Sequence, residues 1–368
     1  MLKYIKSQPV LFISAAAALA TMFIIIPDKG YKDYIDLKVL IQLFGLMTAV
    51  AGLRSVGIFD RMTDLLLSKA GTVRRLGAVF ILLCFFSSML VTNDVALLTF
   101  VPLTILVCKG IPDERSRILM IVLETAAANL GSMLTPVGNP QNLYLYNKFQ
   151  LSAGTFLRTL LPAGIISLAV LMLLNLLLPR ESCSRAKGAE NAGIKAVPAI
   201  GYAVLFAVCL LTVFRVIPDR ACLASALVIG IAFDRKLLLK VDYALLATFV
   251  CFFVFTGNIA RIEAVSSFFS GVLTGNEILV TALLSQVISN VPAAVMLAGF
   301  TENGTALLLG ADLGGLGTVI ASLASLISFQ FYRKAENARP GRYMAIFSAV
   351  NFGMLIPLLL LHIFILHK

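Results

Sequence analysis

Two short polar stretches with the same residue pattern lie within strongly apolar parts of the chain. Residues 88–96 read SMLVTNDVA and residues 285–293 read SQVISNVPA, so each gives a serine, three residues, a second hydroxyl residue, an asparagine, two residues and an alanine. Hydroxyl, amide and carbonyl oxygens are the ligands that hard cations prefer, and a carboxylate beside them, such as Asp94, can carry a proton. Polar groups inside lipid-embedded segments predict an ion or substrate site.

A second pair of matched stretches follows the first pair at a similar distance. Residues 128–139, ANLGSMLTPVGN, align with residues 311–322, ADLGGLGTVIAS, and Asp312 of the second copy replaces Asn129 of the first. Two matched blocks in the same order predict an internal duplication. Two copies of a polar, glycine-bearing membrane segment indicate the binding site of a secondary transporter.

The composition places the chain in a membrane. Of its 368 residues, 59% are hydrophobic and only 13% are charged, and the mean hydropathy is +0.94. A soluble protein of this length needs more charge to cover its surface, so we expect an all-α polytopic membrane protein in contact with the lipid bilayer. The net charge of +11 does not indicate a nucleic-acid partner, because basic residues accumulate in the cytoplasmic loops of membrane proteins.

The sequence contains no motif for enzymatic or nucleotide chemistry. The six cysteines show no CxxC spacing, both histidines stand near the C-terminus, and there is no P-loop, nucleophile elbow or zinc-protease motif. We therefore expect no enzyme activity and no cofactor. Transport work must come from an ion gradient, with H+ or Na+ as the coupling ion and Na+ as the only metal ion expected to bind.

Long apolar runs predict nine membrane crossings, since a crossing takes about 20 residues. Amphipathic surface helices are expected at 59–73 and 259–275. Two other apolar stretches, 75–109 and 276–300, do not fit whole crossings and predict re-entrant hairpins, which are permitted where protein or water covers the backbone. The nine crossings are residues 8–27, 37–58, 118–146, 155–178, 197–217, 221–233, 241–258, 304–331 and 343–366.

Two of these nine helices are expected to be broken. The helix at 118–146 is interrupted by TPVGNP at 135–140, and the helix at 304–331 is interrupted by GGLGT at 314–318. Proline and glycine remove or loosen hydrogen bonds within a helix, which leaves carbonyls and amides free to face a ligand. The breaks therefore predict the second half of the binding site.

The duplication divides the chain into a first transmembrane repeat, 1–179, a cytoplasmic linker, 180–196, and a second transmembrane repeat, 197–368. The apolar run at 221–233 occurs only in the second copy, so the matched helices that follow enter the membrane from opposite sides and the repeats are inverted. Most of the 30 Lys and Arg residues lie in the inner segments if the N-terminus is inside, as the positive-inside rule requires. We expect the cytoplasmic membrane, with the N-terminus inside and the C-terminus outside.

From Ile35 onward, the chain resembles the ion transporter superfamily. The hydroxyl-asparagine hairpin tips, the Asn-x-Pro of residues 290–292 and the broken helix TPVGNPQN of residues 135–142 carry the resemblance. The superfamily includes ArsB-type arsenite permeases, citrate-transporter-like proteins, NhaD-type antiporters and, more distantly, the divalent-anion/sodium symporters. The resemblance implies a homodimer, and an elevator motion of hairpins and broken helices against a static scaffold.

The same resemblance implies two pseudo-symmetric cation sites. The first comprises Ser88, Thr92, Asn93 and Gly138, and the second comprises Ser285, Ile288, Asn290 and Ala321, of which Ile288 and Ala321 contribute only backbone carbonyls. The candidate substrate-binding residues are Thr92, Asn93, Thr135, Asn139, Ser289, Asn290, Thr318 and Ser322. The alternatives are that the asparagines join helices and that the other polar side chains only satisfy backbone groups freed by the breaks.

The third residue of each hairpin tip departs from the divalent-anion symporters, which have a threonine that touches the substrate carboxylate. Here the tips offer Asp94 and Val291. An ionised Asp94 repels a dicarboxylate unless a cation or proton neutralises it, so the tip is closer to the ArsB type, for which proton coupling is implied. We expect Asp94 to be the coupling carboxylate, with Asp312 as a second candidate. Alternatively, Asp94 caps a helix that begins at Val95, and Asp312 is a satisfied partner of other polar groups.

The duplicated polar site without a nucleotide motif predicts a secondary active transporter. Its substrate would be a small inorganic or organic anion, or a neutral oxyacid such as arsenite, coupled to H+ or Na+. One alternative is a Na+/H+ antiporter that exchanges the two cations at Asp94 or Asp312. An alternative of another class is a membrane receptor or scaffold that binds a ligand without transporting it.

Overall fold

The computed structural model describes residues 9–58, 61, 71–108, 111, 113–182 and 196–366. Within these ranges the chain is helical, and its only extended pairing is an isolated bridge between Thr72 and Ser182. The predicted all-α class is confirmed. The helices are α1 (Pro9–Ile24), α2 (Tyr31–Tyr34), α3 (Leu37–Ser55), α4 (Val73–Val91), α5 (Asn93–Val107), α6 (Glu114–Ser132), α7 (Pro140–Lys148), α8 (Ala153–Asn175), α9 (Ala196–Val213), α10 (Asp219–Leu238), α11 (Tyr243–Ala260), α12 (Glu263–Leu273), α13 (Glu277–Ile288), α14 (Asn290–Leu297), α15 (Gly304–Leu313), α16 (Leu323–Arg333) and α17 (Pro340–Leu361).

Six of the described helices are long and apolar enough to cross a membrane. They are α3, α4, α8, α9, α11 and the stretch Pro340–Phe364, which contains α17. α12 and α13 are bent by 113° and add a seventh crossing only if they form one span. All of the six except α4 coincide with predicted crossings, which supports a multi-pass membrane protein.

The other predicted crossings differ from a single long apolar helix. α1 has only 16 described residues. α10 runs over the predicted stretch 221–233 but carries charged residues at both ends and a kink at Asp234, where φ is −161° and ψ is 94°. The remaining two crossings are the predicted broken helices. The amphipathic helix predicted at 59–73 and the linker at 180–196 lie mostly outside the described residues, whereas α12 occupies the other predicted amphipathic stretch.

Each predicted hairpin reverses at a single residue with the same unusual backbone. Thr92, between α4 and α5, has φ 74° and ψ 149°, and Ser289, between α13 and α14, has φ 75° and ψ 153°. This region of φ/ψ space is essentially reserved for glycine, and residues held there cluster at ligand sites. The two tips of the sequence pattern are therefore matched in conformation as well as in residue type.

The arms of the two hairpins differ in length. α4 has 19 residues, about 28 Å at roughly 1.5 Å per residue, which is close to the thickness of the hydrocarbon core. Its counterpart α13 has 12 residues, about 18 Å. The first hairpin thus has one arm long enough to cross the membrane, a feature that the sequence reading did not predict.

Both broken helices are confirmed. α6 ends at Ser132 and α7 begins at Pro140, whose missing N–H is not needed at the first position of a helix. α15 ends at Leu313, and a short 3-10 turn, Val319–Ala321, precedes α16. The intervening segments, residues 133–139 and 314–322, are called break 1 and break 2 below.

The helices form two packed groups. The core group comprises α4 to α8 and α13 to α17, in which α4 packs on α6 and α13 packs on α15. The flanking group comprises α1, α3, α9, α10 and α11, in which α1 packs on α11 and α3 packs on α9 and α10. The two groups touch mainly where α11 meets α14 and α3 meets α7. Both tips and both breaks lie within the core group.

Candidate functional site

The tip of the first hairpin is bonded to break 1. The backbone N–H of Asn93 donates to the carbonyl of Gly138 over 3.2 Å. The hydroxyl of Thr135 donates to the carbonyl of Met89, three residues before the tip residue Thr92. A hairpin tip and an opened helix therefore face each other, which is the arrangement that the sequence predicted.

The second hairpin meets break 2 through matched contacts. The hydroxyl of Thr318 donates to the carbonyl of Gln286 over 3.0 Å, and Gln286 also stands three residues before its tip residue. The hydroxyl of that tip residue, Ser289, donates to the carbonyl of Ala321 over 3.4 Å. Thr135 and Thr318, which are aligned in the sequence, thus make the same bond to their own hairpins.

Gln286 adds a contact that has no counterpart in the first half. Its Nε2 donates to the carbonyls of Gly314 and Leu316, each over 3.0 Å, and its Oε1 accepts from the backbone N–H of Thr318 over 2.9 Å. Three backbone groups that break 2 removes from the helix are satisfied by this one side chain. Sequence reasoning missed Gln286, although its place inside the repeated tip motif was a signal.

Asn129 on α6 connects the first tip to the other half of the chain. Its Oδ1 accepts from the Nδ2 of Asn93 and from the hydroxyl of Ser322, each over 3.0 Å. Its Nδ2 donates to the hydroxyl of Ser325 over 3.1 Å. Asn129 therefore links hairpin 1, α6, break 2 and α16, and sequence reasoning considered it only as the counterpart of Asp312.

Asp312 on α15 makes the reverse connection, from the second half to the first. The Nε2 of Gln141 lies 3.4 Å from its Oδ1, and the side-chain amide of Asn142 lies 2.8 Å and 3.1 Å from its two oxygens. The amide of Asn139 faces the same carboxyl. Asp312 is almost completely buried, so its neighbours at the start of α7 replace water around it.

The two connections are matched position by position. In each connection, a polar residue on the helix before one break contacts two residues of the other half. The first of the two occupies the N-cap position of the helix that follows the other break, and the second stands three positions further along, in the first turn of that helix. Asn129 contacts Ser322 and Ser325, and Asp312 contacts Asn139 and Asn142. These crossed contacts support the internal duplication, and the inverted orientation of the repeats stays a prediction.

Asn290 reaches the same group of polar contacts from the second hairpin. These contacts around Asn129, Asp312 and Gly315 are called the junction below. A Cβ built on Gly315 would be only 2.9 Å from the Nδ2 of Asn290, so the amide packs directly on the glycine. The carbonyl of Gly315 is also 3.5 Å from the Nδ2 of Asn129. Asn93 and Asn290 therefore converge on Asn129 and Gly315. Their role as cation ligands stays a prediction.

Other predicted cation ligands are engaged locally. The hydroxyl of Ser88 donates to the carbonyl of Phe85 over 3.0 Å, and the hydroxyl of Ser285 donates to the carbonyl of Thr281 over 2.7 Å. Each hydroxyl still offers a lone pair to a ligand. Ile288, the last residue of α13, is exposed and has only its backbone to offer, as expected.

Asp94 lies in the first turn of α5, because that helix begins at Asn93 and not at Val95. The alternative that Asp94 caps a helix starting at Val95 is therefore wrong. The backbone N–H of Asp94 donates to the Oδ1 of the neighbouring Asn93 over 2.9 Å. In the described part of the chain, its half-buried carboxylate has no hydrogen-bond partner, so it remains available to a proton or cation near a helix N-terminus.

The two carboxyls of the junction have no basic partner in the described part of the chain. Among the residues that the structure describes, no Lys or Arg forms an ion pair with Asp94 or Asp312. The described ranges also contain no cluster of three or more His, Cys, Asp or Glu side chains that could hold a metal ion. The groups present are amides, hydroxyls, carbonyls and two carboxyls, which can bind a hard monovalent cation or a polar, weakly charged substrate.

Two helical hairpins facing two broken helices within a multi-pass helical protein define a membrane transporter. A family model described as citrate transporter (CitMHS) matches residues 5–304. The chain belongs to the citrate transporter family, within the ion transporter superfamily.

Similar proteins are named as transporters or membrane proteins. The chain is 32% identical over 341 residues to an uncharacterized transporter of Methanocaldococcus jannaschii, covering 91% of this chain and 92% of that one. It is 31% identical over 320 residues to the inner membrane protein YbiR of Escherichia coli, covering 84% of each. A partial match, 31% identical over 161 residues, covers 43% of this chain and 32% of a silicon efflux transporter, LSI3, of Oryza sativa.

A solved structure shares the fold. The YdaH transporter of Alcanivorax borkumensis superposes with a TM-score of 0.52 and 15% sequence identity, covering 90% of this chain and 85% of that one. At this identity the similarity concerns the fold alone.

Proposed function

We propose that the protein is a secondary active transporter of a small inorganic or organic anion, or of a neutral oxyacid, coupled to H+ or Na+. One observation carries the proposal: in one buried polar junction, Asn129 joins the first hairpin tip to break 2, Asp312 contacts break 1 and α7, and Asn290 of the second tip packs on break 2. Irregular backbone in a membrane protein is tolerated where it lines a site, and the discontinuous helices of transporters use it to bind substrate and ions.

The charges at the junction restrict the substrate. Because the described residues there include no cationic side chain, a bare dianion would meet Asp94 and Asp312 without compensation. A neutral oxyacid, or an anion that enters together with a cation or proton, fits these groups better. The small inorganic cargo named for the rice relative is consistent with this class, and it is included among the substrates to be tested.

Counterflow in proteoliposomes tests the proposal directly. Purified protein would be reconstituted with unlabelled citrate, succinate, sulfate, arsenite or silicate inside, and entry of the labelled compound would be measured with and without H+ and Na+ gradients. We expect saturable counterflow of at least one compound, absent from protein-free vesicles and reduced at least tenfold by Asn93→Ala. Absence of uptake for every compound under every gradient would count against a transporter of this class.

A Na+/H+ antiporter is the second candidate, because two carboxyls without basic partners can exchange the two cations. In inverted vesicles with a pH-sensitive dye, addition of Na+ without any anion substrate would then release protons. Dequenching by Na+ alone, combined with no counterflow, would favour this candidate over the first.

We further propose that the protein lies in the cytoplasmic membrane with its N-terminus inside, on the basis of the distribution of its basic residues.

A further inference from the structure

The side chain of Asn142 lies between two sets of hydrogen-bond acceptors. It is completely buried at the start of α7. One end of its amide lies 3.5 Å from the carbonyl of Ser132 and 3.3 Å from the carbonyls of Met133 and Thr135, all at break 1. The other end lies 2.8 Å and 3.1 Å from the two carboxyl oxygens of Asp312.

An ionised Asp312 and the carbonyls of break 1 compete for the donor end of this amide. A carboxamide has donors at one end only, whereas carbonyls and an ionised carboxylate are acceptors only. If the Nδ2 of Asn142 faces the carbonyls, its Oδ1 stands against the carboxylate at hydrogen-bond distance with no proton between them. If the amide is turned, the Nδ2 serves the carboxylate, but the Oδ1 then faces three carbonyl oxygens.

A proton on Asp312 resolves the conflict. The carboxyl O–H then donates to the Oδ1 of Asn142, while the Nδ2 keeps its three carbonyl acceptors. The Nε2 of Gln141 serves a carboxyl oxygen in either state. In the protonated form the carboxyl O–H and both ends of the Asn142 amide have partners at the same time, and buried polar groups in native structures are almost always paired.

We propose that Asp312 is the proton-binding group of the transport cycle, and that its protonation sets the orientation of the Asn142 amide and thereby holds or releases the carbonyls of break 1. The proposal rests on the transport function proposed above. In the protonated form the amide closes break 1. When the proton leaves for bulk water, the amide turns to the carboxylate, and the three carbonyls become free to accept from a hydroxyl-bearing substrate.

The surroundings of Asp312 contain no charge that could substitute for the proton. The groups that face the carboxyl are the neutral amides of Asn139, Gln141 and Asn142. α15 also packs on α6, α8, α13, α14 and α17, and no described charged side chain from these helices faces it. Of the buried carboxyls on them, Glu277 accepts from Thr301, and Glu124 accepts from Thr104 through its Oε2.

The other half of the molecule provides an internal comparison. At the position matching Asp312 it has Asn129, and at the position matching Asn142 it has Ser325, whose hydroxyl accepts from Asn129 and can also donate. This neutral pair is satisfied without a proton. The duplication therefore places a titrating group on one side of the junction and a fixed group on the other.

Infrared difference spectroscopy tests the proposal without requiring a known substrate. Purified protein in lipid would be compared between about pH 5 and pH 9, with and without Asp312→Asn, while Asp94→Asn serves as the spectroscopic control. We expect a protonated-carboxyl C=O band that Asp312→Asn removes and Asp94→Asn retains. Asn142→Ala should shift the same band to higher frequency, because the carboxyl loses its acceptor.

The outcomes separate this inference from the transport function. Identical carboxyl spectra for wild type and a folded Asp312→Asn variant across this pH range would overturn the assignment, whatever the protein transports. Folding of each variant would be checked by gel filtration and thermal unfolding, and if Asn142→Ala does not fold, the Asp312→Asn comparison still decides.

If the band is present but the wild-type protein takes up none of the five test compounds, the proposed function fails while the proton site stands. With uptake established, Asp312→Asn should reduce accumulation driven by a pH gradient at least tenfold, and undiminished accumulation would overturn the inference.

Discussion

At the scale of single residues, the side chain of Asn129 makes more hydrogen bonds in the junction than the side chain of either hairpin asparagine, Asn93 or Asn290. It is buried and satisfies Asn93 and Ser322 while donating to Ser325. A buried polar group that loses its partner costs more than the bond itself gains, since the remaining groups are desolvated and unpaired. Truncating Asn129 therefore affects both halves of the molecule.

We expect Asn129→Ala to lower the free energy of unfolding by about 2 kcal/mol and to reduce counterflow at least tenfold. Asn258→Ala is a matched control, because Asn258 is also buried and donates to Thr21 over 3.1 Å, but within the flanking group. It should lower stability by about 1 kcal/mol and leave transport near wild type. Thermal unfolding in detergent and proteoliposome counterflow measure the two effects. Equal loss of transport in both variants would show that stability alone accounts for it.

Asn290 presents the opposite case, because its side chain packs on Gly315 without a described hydrogen bond to it. Asn290→Ala should therefore change the free energy of unfolding by less than about 1 kcal/mol while abolishing counterflow. Asn290→Asp, which keeps the shape but adds a charge beside the tip, should restore transport only where a cation accompanies the substrate. Full transport by a stable Asn290→Ala variant would remove Asn290 from the binding site.

At the scale of elements, the hairpin tips and breaks were predictable because their signals are local. Proline and glycine at residues 135–140 and 314–318 open the helices where they stand, and the repeated hydroxyl-asparagine pair locates both tips. The length of α4 was not predictable in the same way, since an apolar run does not reveal where a helix reverses.

The partners of Asp312 and Asn129 were not predictable for a different reason. The contact between Gln141 and Asp312 spans 171 residues of chain, and that between Asn129 and Ser325 spans 196. Such contacts depend on how the two halves pack together, which local propensity does not encode. A partial signal existed, because Asn139 and Asn142 have the same spacing as Ser322 and Ser325, and the first residue of each pair occupies the N-cap position of the helix that follows its break.

The backbone of the tips gives a prediction about strain. Thr92 holds a conformation that glycine adopts freely, and such conformations cost a non-glycine residue about 1 to 3 kcal/mol. Thr92→Gly should therefore be more stable than Thr92→Ala by about 1 kcal/mol or more, because both lose the hydroxyl but only glycine relieves the strain. Both variants should transport poorly if the hydroxyl contacts the ion or substrate. Equal unfolding temperatures for the two variants would contradict the strained tip.

Break 1 contains a glycine, Gly138, that has no room for a side chain. A Cβ at Gly138 would lie 2.0 Å from the carbonyl oxygen of Ser132, whereas a Cβ at Gly353 on α17 meets nothing within 4 Å. We expect Gly138→Ala to lower the free energy of unfolding by about 3 kcal/mol, and Gly353→Ala to raise it by roughly 0.5 kcal/mol through helix propensity. Thermal unfolding of both variants tests this, and an unaffected Gly138→Ala protein would require a different path for the chain through the break.

At the scale of the whole molecule, few polar contacts between the described residues join the two helix groups, and relative movement of the groups requires that few such contacts be broken. One is formed by α7 and α3, where the Nδ2 of Asn147 donates to the Oε1 of Gln42 over 2.8 Å. Gln42 in turn donates to Asp219 at the start of α10 over 2.8 Å. A second is formed by Arg215, which donates to the carbonyls of Tyr146 and Leu151 over 2.8 Å and 3.2 Å.

If the broken helices move as a unit against the flanking helices, the contact between Gln42 and Asn147 must open in each cycle. Replacing both residues with cysteine and joining them with a short bifunctional thiol reagent should then stop counterflow, and reduction of a cleavable linker should restore it. The chain supplies its own control in Cys209 and Cys222, whose sulfur atoms lie 3.5 Å apart within the flanking group. Wild-type protein treated with the same reagent should keep its activity, because that link joins helices that stay together. Normal counterflow in the fully cross-linked double-cysteine variant would mean that α7 does not move against α3, and transport would then have to proceed by local opening of the breaks.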